Sequence, residues 1–426
     1  MDSLAASGRA FTRHYVQAPT CGASRSALLT GQYAPSPELR NNDALFLRAA
    51  RPAAAPHTLP RHFRENGYRT VAIGKISHHP GGLGGEGWND PAKVEMPDAW
   101  DLNLMPAGPW QTPRRAMHGY TGGAARIPQQ SPAFEHTAEE DPLAYPDGWI
   151  TRESLVQLDA LAAQPAPFFL AVGIIKPHLP FVTPKSFLDR YADVELPPIP
   201  HPERPSGRTT WHESGEFLGF YAHDGRDPRA DAAYADQLRR SYAASVTYAD
   251  DQIAQILARL DALNLAANTI VVLWGDHGFH LGEHAIWGKH ALFEESLRAP
   301  LIIRAPGLDI APGPTAAVVE SVDIYPTLCD LAGLEIPAGL SGASLRPQLL
   351  DATHPGDAAI SYTPSAETIR TPRHRLIRHP ARDESTPPAY ELYDHDSPAG
   401  ETVNLAATHP ELVAELDAVL RGRLGL

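Results

Sequence analysis

The chain has 426 residues, 43% hydrophobic, 20% charged and 8% aromatic, which suits a folded protein with one large domain and a smaller one. A formal charge of -14 argues against a nucleic-acid partner, whose phosphates it would repel; an anionic small substrate then needs a local gathering of Arg, Lys and His. Apolar runs such as 168–175 are too short to span a bilayer, and two cysteines, Cys21 and Cys329, make no disulfide framework, although one bridge between them stays open.

In chain order, Met1-Asp2-Ser3 leads into helical pattern without signal-peptide character. Cys21 stands at the head of a predicted helix that runs through Leu28-Leu29-Thr30. Short apolar runs predict buried strands at 70–73, 168–175, 269–274 and 301–303, each flanked by helical pattern. Leu238, Tyr242, Val246, Ala249, Ile253, Ile256 and Leu260 form one apolar stripe and predict a long helix over 236–263. A further helix is expected at 321–332. The segments 80–148 and 197–228 are rich in Gly and Pro and read as long loops that wall a site. Beyond about residue 350 the pattern changes to strand-like pieces at 376–378 and 390–393 and a helix at 410–420. The fold class expected is α/β, a mostly parallel sheet flanked by helices, with a main domain at 1–350 and a smaller α+β subdomain at 351–426.

Four strings carry chemistry. In Cys21-Gly22-Ala23-Ser24-Arg25 the cysteine meets the free N–H groups and positive dipole end of its helix, which suit an oxyanion, and Arg25 lies one turn along the same face. In Gly74-Lys75-Ile76-Ser77-His78-His79-Pro80-Gly81 a strand delivers a lysine and two histidines to its C-terminal end, where open α/β sheets build their sites. A third strand ends in Lys176-Pro177-His178, and a histidine titrates near neutrality, as a general acid must. Lys176 reads equally as a solvated strand-end cation. Last, Asp276-His277-Gly278 leaves the end of a strand, with His280, His284, Lys289 and His290 following. Alone, Asp-His-Gly is also a common capped turn.

Together these strings resemble the type I sulfatases, most of all their iduronate-2-sulfatase-like members, along nearly the whole chain and in the same order. The resemblance implies an alkaline-phosphatase-like fold and the hydrolysis of sulfate esters, here of a sulfated carbohydrate. It implies that Cys21 is oxidised to formylglycine by a formylglycine-generating or equivalent maturase. Lys75 would contact sulfate, and a neighbouring histidine would assist: the spacing from Lys75 fits His78, and the Pro-Gly that follows fits His79. His178 would be the general acid and Lys289 would neutralise charge on the transferred group, beside Arg25. Asp276, His277 and the converted Cys21 would hold one divalent cation, usually calcium. His280, His284 and His290 are held as substrate-side candidates. Hydrolysis of phosphonate monoesters or phosphodiesters with the same nucleophile is the alternative, and an inactive relic a third reading.

The family pattern also has a buried strand ending in two aspartates before the cysteine, and no Asp-Asp pair follows an apolar run upstream of Cys21. The expectation is therefore that this strand, part of the metal site and any export signal are missing. Weak calcium binding and poor activity would follow, whatever an exported full-length parent does.

Overall fold

The structure is a computed structural model and describes residues 1–51, 56–138, 140–310, 313–381, 385 and 387–426. Its principal strands are β1 (Arg9–Tyr15), β2 (Arg69–Gly74), β3 (Leu102–Leu104), β4 (Phe168–Gly173), β5 (Val271–Trp274), β6 (Leu301–Arg304), β7 (Gly313–Glu320), β8 (Ala359–Thr363), β9 (Ala366–Arg370), β10 (His374–His379) and β11 (Ala389–Asp394). The helices that bear on function are α1 (Cys21–Thr30), α2 (Pro146–Ala162), α3 (Ala232–Ala262), α4 (Ile324–Ala332) and α5 (Pro410–Leu424).

The chain forms two compact units. One takes residues 60–200 and 213–267 together with Met1, and its sheet has the order β3-β2-β4 with every pair parallel. Val71, Ile73, Ile150, Leu161 and Ile175 pack together there, so the apolar strand residues that predicted the sheet are its core. Register runs from Arg69 opposite Phe168 to Gly74 opposite Gly173. At that last pair the backbones nearly touch: a Cβ on Gly173 would lie 2.1 Å from the Lys75 carbonyl oxygen. Only glycine lets the two strands end side by side. The long helix α3 begins at Asp231, whose carboxylate accepts from the Tyr234 N–H at 2.9 Å, as an N-cap does.

The other unit takes residues 2–59, 201–212 and 268–426. Its main sheet has the order β7-β1-β6-β5, with β1 and β7 parallel and β6 antiparallel to both β1 and β5. A second sheet, β8-β9-β10-β11, is antiparallel throughout. The buried helix α1 packs Ala23 and Ala27 into a core with Ile360, Ile369, Leu376, Leu392 and Leu420, so small residues on α1 let the helix come close to that sheet and to α5. Both cysteines are free, which closes the possibility of a bridge. Among the described residues no helix is long and apolar enough to cross a membrane.

One strand that no apolar run announces completes the main sheet of this unit. β1, Arg-Ala-Phe-Thr-Arg-His-Tyr, buries Arg9 and His14. Arg9 donates to the carbonyl oxygens of Gln348 (3.1 Å), Leu349 (2.9 Å) and Gly313 (3.2 Å). His14 Nδ1 lies 2.9 Å from Ala299 O and Nε2 2.9 Å from Ser321 Oγ, so both nitrogens are satisfied in the neutral ring.

Candidate active site

In the second unit, Cys21 is the first residue of α1, and the helix is buried along its whole length. Side-chain sulfur sits 3.2 Å from His277 Nε2 and 3.6 Å from Lys289 Nζ. His277 Nδ1 is 2.7 Å from Gly278 O, and a carbonyl only accepts, so Nδ1 carries a proton and Nε2 is the nitrogen that faces the Cys21 sulfur. Arg25, one turn into α1, donates Nε to Asp276 Oδ2 at 2.8 Å, with both side chains largely buried. Asp276 Oδ1 is 3.8 Å from His277 Nε2. Ligand atoms of Cys21, Asp276 and His277 all lie within 4.8 Å of one another.

Local sequence explains this convergence. β5 ends at Trp274 and the chain turns through Gly275, Asp276 and His277 to Gly278, whose N–H bonds Ser296 O at 2.9 Å. A Cβ on Gly278 would stand 1.9 Å from the Glu295 carbonyl oxygen, so the turn closes this tightly only with glycine. On the other side, the Gly22 N–H donates to Asn42 Oδ1 at 3.0 Å. Thr20 Oγ1 meets His290 Nδ1 at 2.9 Å and the His290 N–H bonds Pro19 O at 3.2 Å, tying the head of α1 to the segment that carries Lys289. His212 Nε2 bonds the Lys289 carbonyl. Asn42, Thr20 and His212 belong to no sequence motif. His212 lies in the 197–228 segment, whose Gly and Pro content was the only signal for it.

In the first unit, the C-terminal ends of β2 and β4 gather a separate group. Lys75 is buried and its N–H bonds Gly173 O at 2.9 Å. His79 Nδ1 lies 3.2 Å from the buried Glu95 carboxylate, and His78 packs edge-on against it with Trp88 5.9 Å away. His178 Nδ1 is 2.5 Å from Leu179 O, which leaves Nε2 as its exchanging nitrogen, 3.9 Å from Glu216 Oε1. Lys176 is no solvated cation. It is buried and donates to the carbonyl oxygens of His178 (2.8 Å) and Pro180 (2.6 Å), holding the turn that presents His178. Burial lowers its pKa to about 8, against the opposing pull of Asp147. Asp147 in turn accepts the N–H groups of Ile175 (2.7 Å) and Lys176 (2.9 Å), and burial raises its pKa.

His280 and His284 are not substrate-side residues. Both are buried. His280 Nδ1 bonds Ser296 Oγ at 2.9 Å, and His284 stacks on Phe293 with centroids 4.4 Å apart. Glu295 Oε2 stands 3.4 Å from His280 Nε2 and 3.7 Å from His284 Nε2, so the pair supports the loop from inside.

Comparison with known proteins fits this arrangement. The family model described as Sulfatase matches residues 1–334, and one described as N-sulphoglucosamine sulphohydrolase, C-terminal, matches residues 282–424. The chain is 30% identical over 376 residues to iduronate 2-sulfatase of Homo sapiens, a match covering 79% of this chain and 65% of that protein. It is 29% identical over 440 residues to a sulfatase of Formosa agariphila, covering 95% of this chain and 77% of that one. Among solved structures, a phosphonate monoester hydrolase from Silicibacter pomeroyi superposes with a TM-score of 0.74 at 26% identity, covering 99% of this chain and 89% of that one. The chain thus spans just under two thirds of the iduronate 2-sulfatases it matches, 64% of the Mus musculus protein and 65% of the human one. With a family match over residues 1–334, and with the cysteine, arginine, aspartate, histidine and lysine of its motifs converging on the head of one helix, this chain belongs to the sulfatase family.

Proposed function

We propose that the chain hydrolyses a sulfate ester on a sugar, with Cys21 as the precursor of its nucleophile. The observation that supports this most is Cys21 Sγ at a buried helix N-terminus, between His277 Nε2 and Lys289 Nζ. Sγ stands in for the oxygens that conversion to formylglycine would place there. Formylglycine supplies a hydrated aldehyde, one hydroxyl of which takes the sulfuryl group while the other expels sulfate.

The other roles belong to this chain's own residues. His277, with Nδ1 committed to Gly278 O, takes a proton through Nε2. Lys289 and the positive dipole end of α1 offset negative charge on the transferred group. Arg25 fixes Asp276. For the first unit the family resemblance implies that Lys75 contacts sulfate, that His78 or His79 assists, and that His178, oriented through Leu179 O, protonates the leaving oxygen from Nε2. Glu216 Oε1 stands 3.9 Å from that nitrogen. A formylglycine-generating or equivalent maturase is the implied partner, and export of the parent protein accompanies it.

Members of the family use a divalent cation, and calcium is the one the resemblance implies. Asp276, His277 and Cys21 would be its donors. They offer one carboxylate, already engaged by Arg25, one imidazole and, once Cys21 is converted, the oxygens of formylglycine in place of its sulfur, whereas calcium takes roughly six to eight oxygens. This set alone does not fit calcium, and no step of the proposal runs through a metal.

The likeness to a phosphonate monoester hydrolase favours a second reading, hydrolysis of phosphonate monoesters or phosphodiesters by the same nucleophile. Turnover of an aryl sulfate against the matching aryl phosphonate, after co-expression with a maturase, separates them. Preference for the sulfate supports the first reading, and preference for the phosphonate replaces it with the second.

A further inference from the structure

One histidine of the first unit belongs to no motif. His118 lies between β3 and α2, fixed by backbone bonds from its N–H to Arg115 O (3.3 Å) and from the Arg126 N–H to its own oxygen (3.1 Å). Its ring centroid is 5.4 Å from that of His178, at an interplanar angle of 53°. Burial first, then the charges of Arg126, Lys176 and Lys75, push its pKa down to about 3, with Glu216 opposing. An imidazole so placed is uncharged at neutral pH. Nδ1 is buried and makes no hydrogen bond among the described residues. Burying an unpaired N–H is costly, so the proton belongs on the other nitrogen, Nε2. His118 therefore brings a neutral donor into surroundings that hold the cations Arg126, Lys176 and Lys75 and the carboxylate of Glu216. Lysines suffice for sulfate charge; a neutral donor beside the general acid suits an uncharged oxygen.

We propose that His118 is a substrate-contacting residue, donating from Nε2 to an oxygen of the sugar that carries the sulfate ester. This rests on the reading above in one respect, that His178 faces the leaving oxygen. Hydroxyl and ring oxygens flank the ester oxygen of a sugar sulfate, whereas phenyl sulfate has none. A site built to bond such an oxygen discriminates against a substrate that lacks it.

The test compares the maturase-treated parent with its His118→Ala and His118→Gln variants, on a sulfated monosaccharide and on phenyl sulfate, with melting curves as a check on folding. His118→Ala is expected to lose about tenfold more kcat/KM on the sugar sulfate than on phenyl sulfate, mainly through KM. His118→Gln, whose amide reaches the place of Nε2, recovers most of it. Equal losses on the two esters, or glutamine no better than alanine, overturn the inference. Should the alanine variant fail to fold, His118→Asn, with its shorter amide, takes its place. If the parent turns over neither ester, the proposed activity fails. Calorimetry with the sulfated monosaccharide then decides the inference separately: tighter binding by the parent than by the alanine variant sustains it, and equal or absent binding overturns it.

Discussion

Lys289 Nζ and His277 Nε2 both lie within hydrogen-bond reach of Cys21 Sγ, and they have different work. Lys289 acts by charge where negative charge develops, so Lys289→Ala should lower kcat for an aryl sulfate by about 10²–10³, read by steady-state turnover. His14 makes the opposite case, a buried histidine with a structural task. Burial lowers its pKa from 6.5 to about 4 although the Ala299 carbonyl favours the charged ring. Between those values the unfolded chain binds the proton and the folded chain does not. Its contribution to stability is therefore complete above pH 6.5 and is lost as pH falls toward 4. His14→Gln should flatten the fall of unfolding free energy across that window by up to about 1.4 kcal/mol per pH unit, measured by urea unfolding. At this scale the sequence displayed residues whose chemistry depends on neighbours in the chain: Cys21 with Arg25, Asp276 with His277, Lys75 with His78. It could not display His118, Glu216 or Asn42, whose partners come from distant segments, and it held as candidates His280 and His284, whose burial no spacing reveals.

Elements were legible where burial is apolar. β2, β4, β5 and β6 stand close to their predicted spans, and α3, expected over 236–263, covers Ala232–Ala262. α1 begins at Cys21 as read. β1 escaped because its buried face includes Arg9 and His14, compensated by carbonyls of 299, 313, 348 and 349. α2 escaped because its head lies in a Gly- and Pro-rich stretch, with Pro146 at its first position. The turn after β5 is the element on which the site depends, and Gly278 is its tightest point. Gly278→Ala would drive a methyl into the Glu295 carbonyl and displace His277. A loss of about 1–3 kcal/mol in unfolding free energy, together with a larger fall in turnover than in stability, is the expected result of paired denaturation and activity measurements.

For the whole molecule, a charge of -14 excluded little that mattered, because cations concentrate where they are needed: Lys75, Lys176 and Arg126 around His118 in one unit, Lys289 and Arg25 at the head of α1 in the other. Motif order pointed to the family, and the family match bears it out. What order along the chain could not convey is which side chains support and which react, since that depends on burial and on partners hundreds of residues away. Cys21 marks the division, sharing its surroundings with His277 and Lys289 at separations of 256 and 268 residues. The most direct test is the mass of the peptide containing Cys21, taken from chain co-expressed with a formylglycine-generating enzyme. The account predicts an aldehyde in place of the thiol, at a yield that tracks sulfate release. An intact thiol at Cys21 in chain that still releases sulfate would contradict it.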